Sequence, residues 1–568
     1  MRLLCRDFRN PKRFSFASNV KILAIASLVL ISGCGSAVDS RESAEAAIAD
    51  LVNKKVQPSF RENQSRANIS LSRTNLSSLL PDLNDYPIST GQRDSGSIES
   101  VEIFTSSEKA GSGRDGFYIE LAEAFNRERI SLSNGKTAVV SIRKIASGLG
   151  AQFMLAGRYM PDAFSPSNML WGEMLNADGI KLDTIAEITA PNTAGIIVKK
   201  SKADMILSNG ELDVPKLLNN VSNGSFAMGY TNPYQSSTGL NFLLTVLNAF
   251  AQGDEKEMLS PDVASAFEAF QTGVPFVAQT TIQMRDAAQG SGVLDALVME
   301  YQSWVNVTGM SDYQFVPFGV RHDSPLFATP EADDSEREVL DLFARFIAEQ
   351  QPVVSRFGFG KNPDYASAYQ ISDSSLIAQA QTIWKEKKSG GRPVAAVFVA
   401  DISGSMDGPR IKNLKKALID SSDLISSSNS IGLVTYNESV NVDLYVRKFD
   451  VQQKSLFIGA VDRLVVGGRT ATNDAVLVAA NLLLEYGKKN PDNKLIIFVL
   501  SDGERNRGHT FDDVTDMLEW SGIPVHSIAY EVTSDELRQL SSLAEGAYIE
   551  SKAESASYRI GNLLNSEM

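Results

Sequence analysis

Apolar runs alternate with amphipathic stretches along the carboxyl-terminal third of the chain. Residues 394–400 form an unbroken apolar run, which is typical of a central β-strand covered on both faces. A second such run occupies 495–500, and apolar residues recur at helical spacing over 411–418. Repeated strand and helix units of this kind predict a doubly wound α/β domain over 392–568.

The region 98–388 shows the same alternation. Residues 101–104 and 138–142 have the pattern of short strands, and the apolar residues spaced over 117–125 predict an amphipathic helix that packs on a sheet. Hydroxyl-bearing residues follow several of these strands. The pattern predicts a second α/β domain, with a cleft at the edge of its sheet.

The first 33 residues have the pattern of a bacterial signal peptide. Basic residues precede the apolar stretch 22–31, which is too short to span a bilayer comfortably as a helix. The stretch ends in Ile31-Ser32-Gly33-Cys34, where small residues precede a cysteine. This ending resembles the lipobox of bacterial lipoproteins, which implies that Cys34 becomes the lipid-modified first residue of the mature chain. An ordinary secretory peptide that happens to have a cysteine nearby is the alternative.

Residues 34–97 are polar and rich in serine, arginine, glutamate and asparagine. A short helix near 44–51 fits the pattern, but nothing in this region predicts a hydrophobic core. We therefore expect a disordered tether that holds the folded part away from the membrane.

Composition narrows the classes of function. The 568 residues carry a net charge of −14, from 54 basic and 68 acidic side chains, which argues against nucleic acid as the main partner. Both cysteines, Cys5 and Cys34, lie within the first 34 residues, so the rest of the chain has no disulfide framework and no thiolate metal site. The three histidines lack zinc-protease spacing, and no G-x-S-x-G nucleophile motif is present. Residues 106–109 spell the S-x-x-K pattern of acyl-transferring serines, but the companion motifs S-D-N and K-T-G are missing, so we interpret it as a chance match. We expect that the protein is not an enzyme.

Three oxygen-bearing side chains follow the predicted strand at 394–400. Asp401, Ser403 and Ser405 alternate along the exit loop, and an extended loop places such residues on one side. One carboxylate and two hydroxyls form a hard-oxygen set suited to Mg²⁺, and the carboxyl end of a parallel sheet is where ligands bind. The alternative is a turn that caps the next helix.

Two further segments change this interpretation. Gly467-Gly468-Arg469-Thr470 precedes an apolar helix, and Ser501-Asp502-Gly503 follows the run at 495–500. In this order, D-x-S-x-S, G-G-x-T and S-D-G resemble the von Willebrand factor A (VWA) domain and its metal-ion-dependent adhesion site, over about 392–560. The resemblance implies that a carboxylate of a partner protein completes the coordination of Mg²⁺, or else of Mn²⁺ or Ca²⁺. The implied protein ligands, direct or through water, are Asp401, Ser403, Ser405, Thr470 and Asp502.

Arg469 departs from the family pattern, since many relatives have a small residue there. Two outcomes are open. Arg469 either pairs with Asp474 or Glu504, or its like charge lowers the affinity for the metal.

The middle region also resembles a known family. Ser147-Gly148, the Ala156-Gly157…Pro161-Asp162 step and the segment 232–239 are similar to type 2 periplasmic solute-binding proteins, above all the oxyanion receptors. The resemblance implies two α/β lobes joined by crossover strands, predicted near 188–199 and 315–320, with a solute between the lobes.

Hydroxyl groups beside helix N-termini bind anions without a basic side chain, which supports a small oxyanion as the solute. The same residues could instead be helix caps without any ligand. The candidate contacts carried over by motif are Thr105, Ser106, Ser147, Ser165, Ser236, Ser237 and Thr238.

Together these features predict a lipid-anchored binding protein of the bacterial cell envelope, facing the periplasm or the exterior. Its VWA domain would bind an acidic residue of a partner protein through the metal. Its receptor-like domain would bind a small solute or act as a scaffold. The alternative is the solute receptor of an ABC importer with an accessory VWA domain.

Overall fold

The structure is a computed structural model that describes residues 38–67, 79–91, 96–278, 280–281, 284–285, 294–360, 365–503, 505–544, 546–551 and 556–568. The predicted signal peptide and Cys34 lie outside these residues. Within the described ranges, no helix is both long and apolar enough to cross a membrane.

The amino-terminal segment, residues 38–67, is folded onto the carboxyl-terminal domain. It contains α1 (Arg41–Leu51), which Ser40 caps, and the short strand β1 (Ser59–Phe60). Ala44 and Ile48 of α1 are fully buried, and Ile48 lies in a core cluster with residues of that domain. The expected disordered tether over 34–97 is therefore wrong for this segment, because the apolar face of α1 is covered by helices that lie over 400 residues further along the chain.

The middle domain supplies most of the remaining elements. Its strands are β2 (Ile98–Thr105), β3 (Thr137–Lys144), β4 (Ala163–Ser165), β5 (Asp183–Ala186), β6 (Thr193–Lys199), β7 (Leu207–Ser208), β8 (Glu211–Leu212), β9 (Met228–Thr231), β10 (Phe276–Ala278), β11 (Ala296–Glu300), β12 (Tyr313–Arg321) and β13 (Leu326–Ala328). Its helices are α2 (Ser107–Ala110), α3 (Phe117–Glu128), α4 (Ser147–Leu155), α5 (Leu170–Ala177), α6 (Val214–Ser222), α7 (Ser237–Phe250), α8 (Pro261–Gln271), α9 (Tyr301–Asn306), α10 (Asp334–Glu349), α11 (Gln351–Arg356) and α12 (Ser375–Lys387).

These elements form two lobes, each around a five-stranded sheet. The first lobe has the strand order β3-β2-β4-β13-β5, and the second has β10-β9-β11-β6-β12. The chain leaves the first lobe at 187–192 and returns at 322–325. The predicted two-lobed α/β fold is confirmed, but the second crossover follows 315–320, which lies inside β12.

The carboxyl-terminal domain has one seven-stranded sheet with the order β1-β16-β15-β14-β17-β18-β19. Apart from β16, which runs antiparallel to β15, neighbouring strands are parallel, and every residue of the central β14 is buried. This is the predicted doubly wound domain, with β1 added at its edge. Its elements are β14 (Val394–Asp401), α13 (Pro409–Ser422), β15 (Ser430–Tyr436), β16 (Val440–Lys448), α14 (Val451–Asp462), α15 (Thr472–Lys489), β17 (Lys494–Ser501), α16 (Phe511–Ser521), β18 (Val525–Tyr530), α17 (Asp535–Ser542), β19 (Tyr548–Ser551) and α18 (Ala556–Glu567).

Candidate functional site

Oxygen atoms from two neighbouring strands meet at the carboxyl edge of this sheet. Because β14 and β17 are parallel and adjacent, the residues that follow them lie side by side. The Ser405 hydroxyl donates to Asp502 Oδ1 over 2.8 Å and lies 3.1 Å from the Ser403 hydroxyl. The Ser403 amide donates to Asp401 Oδ1 over 2.8 Å. Four of the five predicted metal ligands thus form one hydrogen-bonded cluster.

Asp401 is held in place by residues that its motif does not contain. Its second carboxylate oxygen accepts hydrogen bonds from the Ser501 hydroxyl at 2.5 Å and from the Tyr436 hydroxyl at 3.4 Å. Burial raises the pKa of Asp401, while the hydrogen bonds from Ser501 and Ser403 act in the opposite direction. The sequence offered a signal for Ser501, which directly precedes Asp502, but none for Tyr436.

Thr470, the fifth predicted ligand, lies in a loop beside the cluster. The Gly404 amide donates to the carbonyl of Gly468 over 3.1 Å, which joins this loop to the one that follows β14. Thr470 is buried, and its amide donates to the side chain of Asn506 over 2.9 Å. The three loops that carry the motifs are therefore neighbours.

A cation that sequence reasoning missed contacts the cluster. Arg410, near the start of α13, donates to Asp502 Oδ2 over 2.6 Å and to the carbonyl of Ser405 over 3.2 Å. Its Nε also donates to Glu531 over 3.0 Å. Arg410 therefore neutralises part of the negative charge at the edge of the sheet.

The structure shows what one of the two expected partners of Arg469 contacts. Asp474, one of its two expected partners, instead accepts from His509, with 2.6 Å between Nδ1 and Oδ1. Arg469 itself is exposed, and Glu504 lies outside the described residues.

The donor set fits a hard cation. Mg²⁺ usually keeps several waters and needs only one or two carboxylates, which Asp401 and Asp502 supply beside two hydroxyls. Among the residues described, no group of three or more histidine, cysteine, aspartate or glutamate side chains is placed to hold a metal. The carboxylates and hydroxyls at the edge of the sheet therefore form a donor set suited to a partly hydrated ion.

The cleft between the two lobes of the middle domain is nearly closed. The Gly148 amide, in the first lobe, donates to the carbonyl of Gln235 in the second lobe over 3.2 Å. Gly148 permits this approach, since a Cβ atom there would lie 1.9 Å from the carbonyl oxygen of Tyr234. Among the described residues, the cavity between the lobes has a volume of about 10 Å³, which is room for about one water.

The seven predicted solute contacts divide into two groups. Ser106, Ser147, Ser236 and Ser237 line the small cavity, whereas Thr105, Ser165 and Thr238 do not. Several of these hydroxyls are engaged by protein groups. Their partners include the Ser165 carbonyl for Thr105, Trp171 for Ser237, Thr231 for Ser236 and Thr281 for Thr238.

Buried charges surround the cleft. Glu108 lines the cavity, and burial, aided by the nearby Glu300, raises its pKa to about 7. Burial lowers the pKa of Lys109 to about 7. The ammonium of Lys109 donates to the carbonyls of Ser165 and Pro166 and to the Ser165 hydroxyl, and not to Ser106, so the S-x-x-K string is not a serine–lysine pair.

The two crossovers are tied together by a buried polar network. His322 Nδ1 lies 2.8 Å from Glu300, and Asn192 donates to the same carboxylate over 2.9 Å. His322 Nε2 faces the amide nitrogens of Asn168 and Asn241, both at 3.1 Å, so it acts as the acceptor and Nδ1 carries the proton. The sequence showed no motif around His322.

Comparison with known proteins identifies a family for the carboxyl-terminal domain. Residues 396–561 match the family model of the von Willebrand factor type A domain, which confirms the predicted VWA domain. An uncharacterised protein of Synechocystis sp., sll0103, is 25% identical over 116 residues; the match covers 20% of this chain and only 26% of that protein.

Solved structures similar to the chain include both kinds of domain. A von Willebrand factor type A protein from Catenulispora acidiphila is 19% identical with a TM-score of 0.29, covering 31% of this chain and 43% of that one. A periplasmic thiamin binding protein is 10% identical with a TM-score of 0.38, covering 53% of this chain and 99% of that one. Because these TM-scores are low, the assignment of two lobes rests on the strand order of the middle domain and not on these similarities.

Proposed function

We propose that the protein is a lipid-anchored, extracytoplasmic binding protein whose VWA domain binds a carboxylate of a partner protein through a divalent metal. The observation that supports this function is the cluster of Asp401, Ser403, Ser405 and Asp502 at the open edge of the sheet. The metal, when bound, supplies the coordination position for the partner's carboxylate. The protein groups would orient the ion and leave one side of it for the partner, so the proposed role is binding rather than catalysis.

For the middle domain we propose the role of a scaffold rather than an oxyanion receptor. Its cavity has room for about one water, and several candidate contact hydroxyls are engaged by protein groups. Glu108 would also repel an oxyanion inside the cleft once it is ionised. These features favour a closed, rigid body that presents the VWA domain.

Calorimetry of residues 35–568 with Mg²⁺ and Mn²⁺ tests the metal site. We expect binding by the unchanged chain and a loss of at least tenfold in affinity for Asp401→Ala, since a charged ligand is removed. Asp492→Ala is the matched control, because Asp492 is an exposed carboxylate of the same domain, in the loop before β17 at the other end of the sheet. Equal affinities in all three proteins would refute the site.

A thermal-shift screen with phosphate, sulfate, molybdate and small organic acids tests the scaffold role. We expect no increase in the melting temperature with any of them. A saturable increase that Ser147→Ala and Ser236→Ala both abolish would establish a solute receptor instead.

A further inference from the structure

One side chain of the VWA domain enters the junction of the two lobes of the middle domain. Tyr558, in the last helix α18, is 3% exposed and lies in the same core cluster as residues of both lobes. Its hydroxyl donates to Gln152 Oε1 over 3.0 Å and accepts from Gln235 Nε2 over 3.0 Å. Gln152 belongs to the first lobe and Gln235 to the second. The Tyr558 hydroxyl therefore joins both lobes of the middle domain to the VWA domain.

This contact lies where the lobes touch each other. Gln152 also donates to the carbonyl of Tyr234 over 3.3 Å, and Gln235 accepts from the Gly148 amide. Gln235 further lines the small cavity together with the candidate hydroxyls. Separating the lobes would break at least one bond of the Tyr558 hydroxyl and leave a buried polar group unpaired.

The helix that carries Tyr558 is anchored in the VWA domain. Ile560, Leu563 and Leu564 are buried in the core of that domain, and the Ser557 hydroxyl donates to Asp420 of α13 over 3.1 Å. Helix α13 also carries Arg410, which contacts Asp502 at the candidate metal site. Tyr558 cannot leave the cleft without a shift of α18 or a rotation of its own side chain.

We propose that Tyr558 is a latch by which the VWA domain holds the two lobes of the middle domain closed. The inference extends the proposed scaffold role, since it names what keeps the scaffold shut. Opening of the cleft and the position of α18 are then coupled, and each must affect the other by the same free energy.

The Gly148 amide provides the test, because its partner is the carbonyl of Gln235 in the opposite lobe and not a group of its own helix. Hydrogen exchange of this amide in residues 35–568, without added metal or solute, reports separation of the lobes. Tyr558→Phe keeps the ring but removes the bridging hydroxyl. We expect exchange at Gly148 to become about tenfold faster, because a typical buried hydrogen bond shifts an equilibrium by roughly that factor.

Tyr530→Phe is the matched control, since the Tyr530 hydroxyl is buried in the VWA domain and has no hydrogen-bond partner among the described residues. Gln152→Ala tests the latch from the first lobe and should also speed exchange at Gly148. The latch is refuted if Tyr558→Phe leaves the Gly148 rate unchanged, or if Tyr530→Phe raises it equally. Neither outcome depends on metal binding, so the latch can fail while the proposed metal site stands, and the reverse.

Discussion

Hydroxyl groups follow strand ends both in the cleft of the middle domain and at the carboxyl edge of the VWA sheet. The environments of these hydroxyl groups differ between the two places. In the cleft, the second lobe closes over Ser147 and its neighbours, and the free space shrinks to about one water. At the VWA edge, Ser405 is exposed among the described residues. Similar residues thus make an internal hydrogen-bonded joint in one domain and a surface suited to a metal ion in the other.

The electrostatics of the two places differ as well. Asp502 at the VWA edge has a cationic partner in Arg410, at 2.6 Å. In the cleft, Glu108 has Glu300 nearby and takes up a proton more readily than an ordinary carboxyl group. A strand-end hydroxyl therefore indicates a ligand site only when the space opposite it is open and the nearby charges suit the ligand.

The largest effect is expected at the amino-terminal segment, which packs on the VWA domain. Ile48→Ala removes a fully buried side chain between α1 and the helices of the VWA domain. We expect the free energy of unfolding of that domain to fall by about 2–4 kcal/mol, because a cavity forms in its core. Denaturant unfolding, monitored by hydrogen exchange in β14 and β17, measures the decrease in the free energy of unfolding.

Val465→Ala is the control for Ile48→Ala, since Val465 is 77% exposed and its truncation should change stability by less than about 0.5 kcal/mol. Equal effects of the two substitutions would contradict the burial of α1.

Opposite dependences on pH should distinguish the two domains. Burial lowers the pKa of His526, in the VWA sheet, from 6.5 to about 4, so only the unfolded chain binds this proton between these values. The VWA domain should lose stability, by at most roughly 3 kcal/mol, as the pH falls from 6.5 to 4. Glu108, with its pKa raised from 4.5 to about 7, should destabilise the middle domain as the pH rises through that interval.

Domain-resolved hydrogen exchange between pH 4.5 and 7 checks both slopes. His526→Gln should flatten the slope of the VWA domain alone, and Glu108→Gln that of the middle domain alone. A shared slope in both domains, unaffected by either change, would show that neither group titrates as described.

The next prediction concerns the close contact between the two lobes at Gly148. A Cβ atom at Gly148 would lie 1.9 Å from the carbonyl oxygen of Tyr234, so Gly148→Ala must move the lobes apart. We expect a loss of about 1–3 kcal/mol in the unfolding free energy of the middle domain, measured by chemical denaturation. Gly96→Ala is the control, since nothing lies within 4 Å of a Cβ at that position. Unchanged stability in Gly148→Ala would mean that the lobes part without cost.

The smallest effect concerns the charge at the VWA edge. Arg410→Gln removes a cation from Asp502, and we expect the affinity for Mn²⁺ to rise about fivefold, equivalent to about 1 kcal/mol in a high dielectric. Calorimetry measures the change, with Arg447→Gln as a control on an arginine of β16 that pairs with Glu62 instead. A weaker affinity in Arg410→Gln would show that Arg410 orients Asp502 for the metal.

Local patterns carried most of the information on the fold. The unbroken apolar run at 394–400 predicted a central strand, and every residue of β14 is buried. The three motifs of the VWA domain were also visible, because each is a short loop between regular elements. The wrong prediction of a tether shows where local patterns stop being informative. Ala44 and Ile48 have helical spacing, but the surface that covers them is distant in the sequence.

By itself, the amino-acid sequence determined the two α/β domains, their order, and the residue types at the ends of their strands, since apolar periodicity and loop motifs are local properties. Only the tertiary structure decided that one set of strand-end hydroxyls faces an opposing lobe and the other does not. It likewise brought Arg410 to Asp502, which lies 92 residues further along the chain. It also brought Tyr558 to the junction of the lobes, where it contacts Gln152 across 406 residues. Such contacts depend on how segments far apart in the sequence pack against one another, and a local pattern in one segment does not identify its partner.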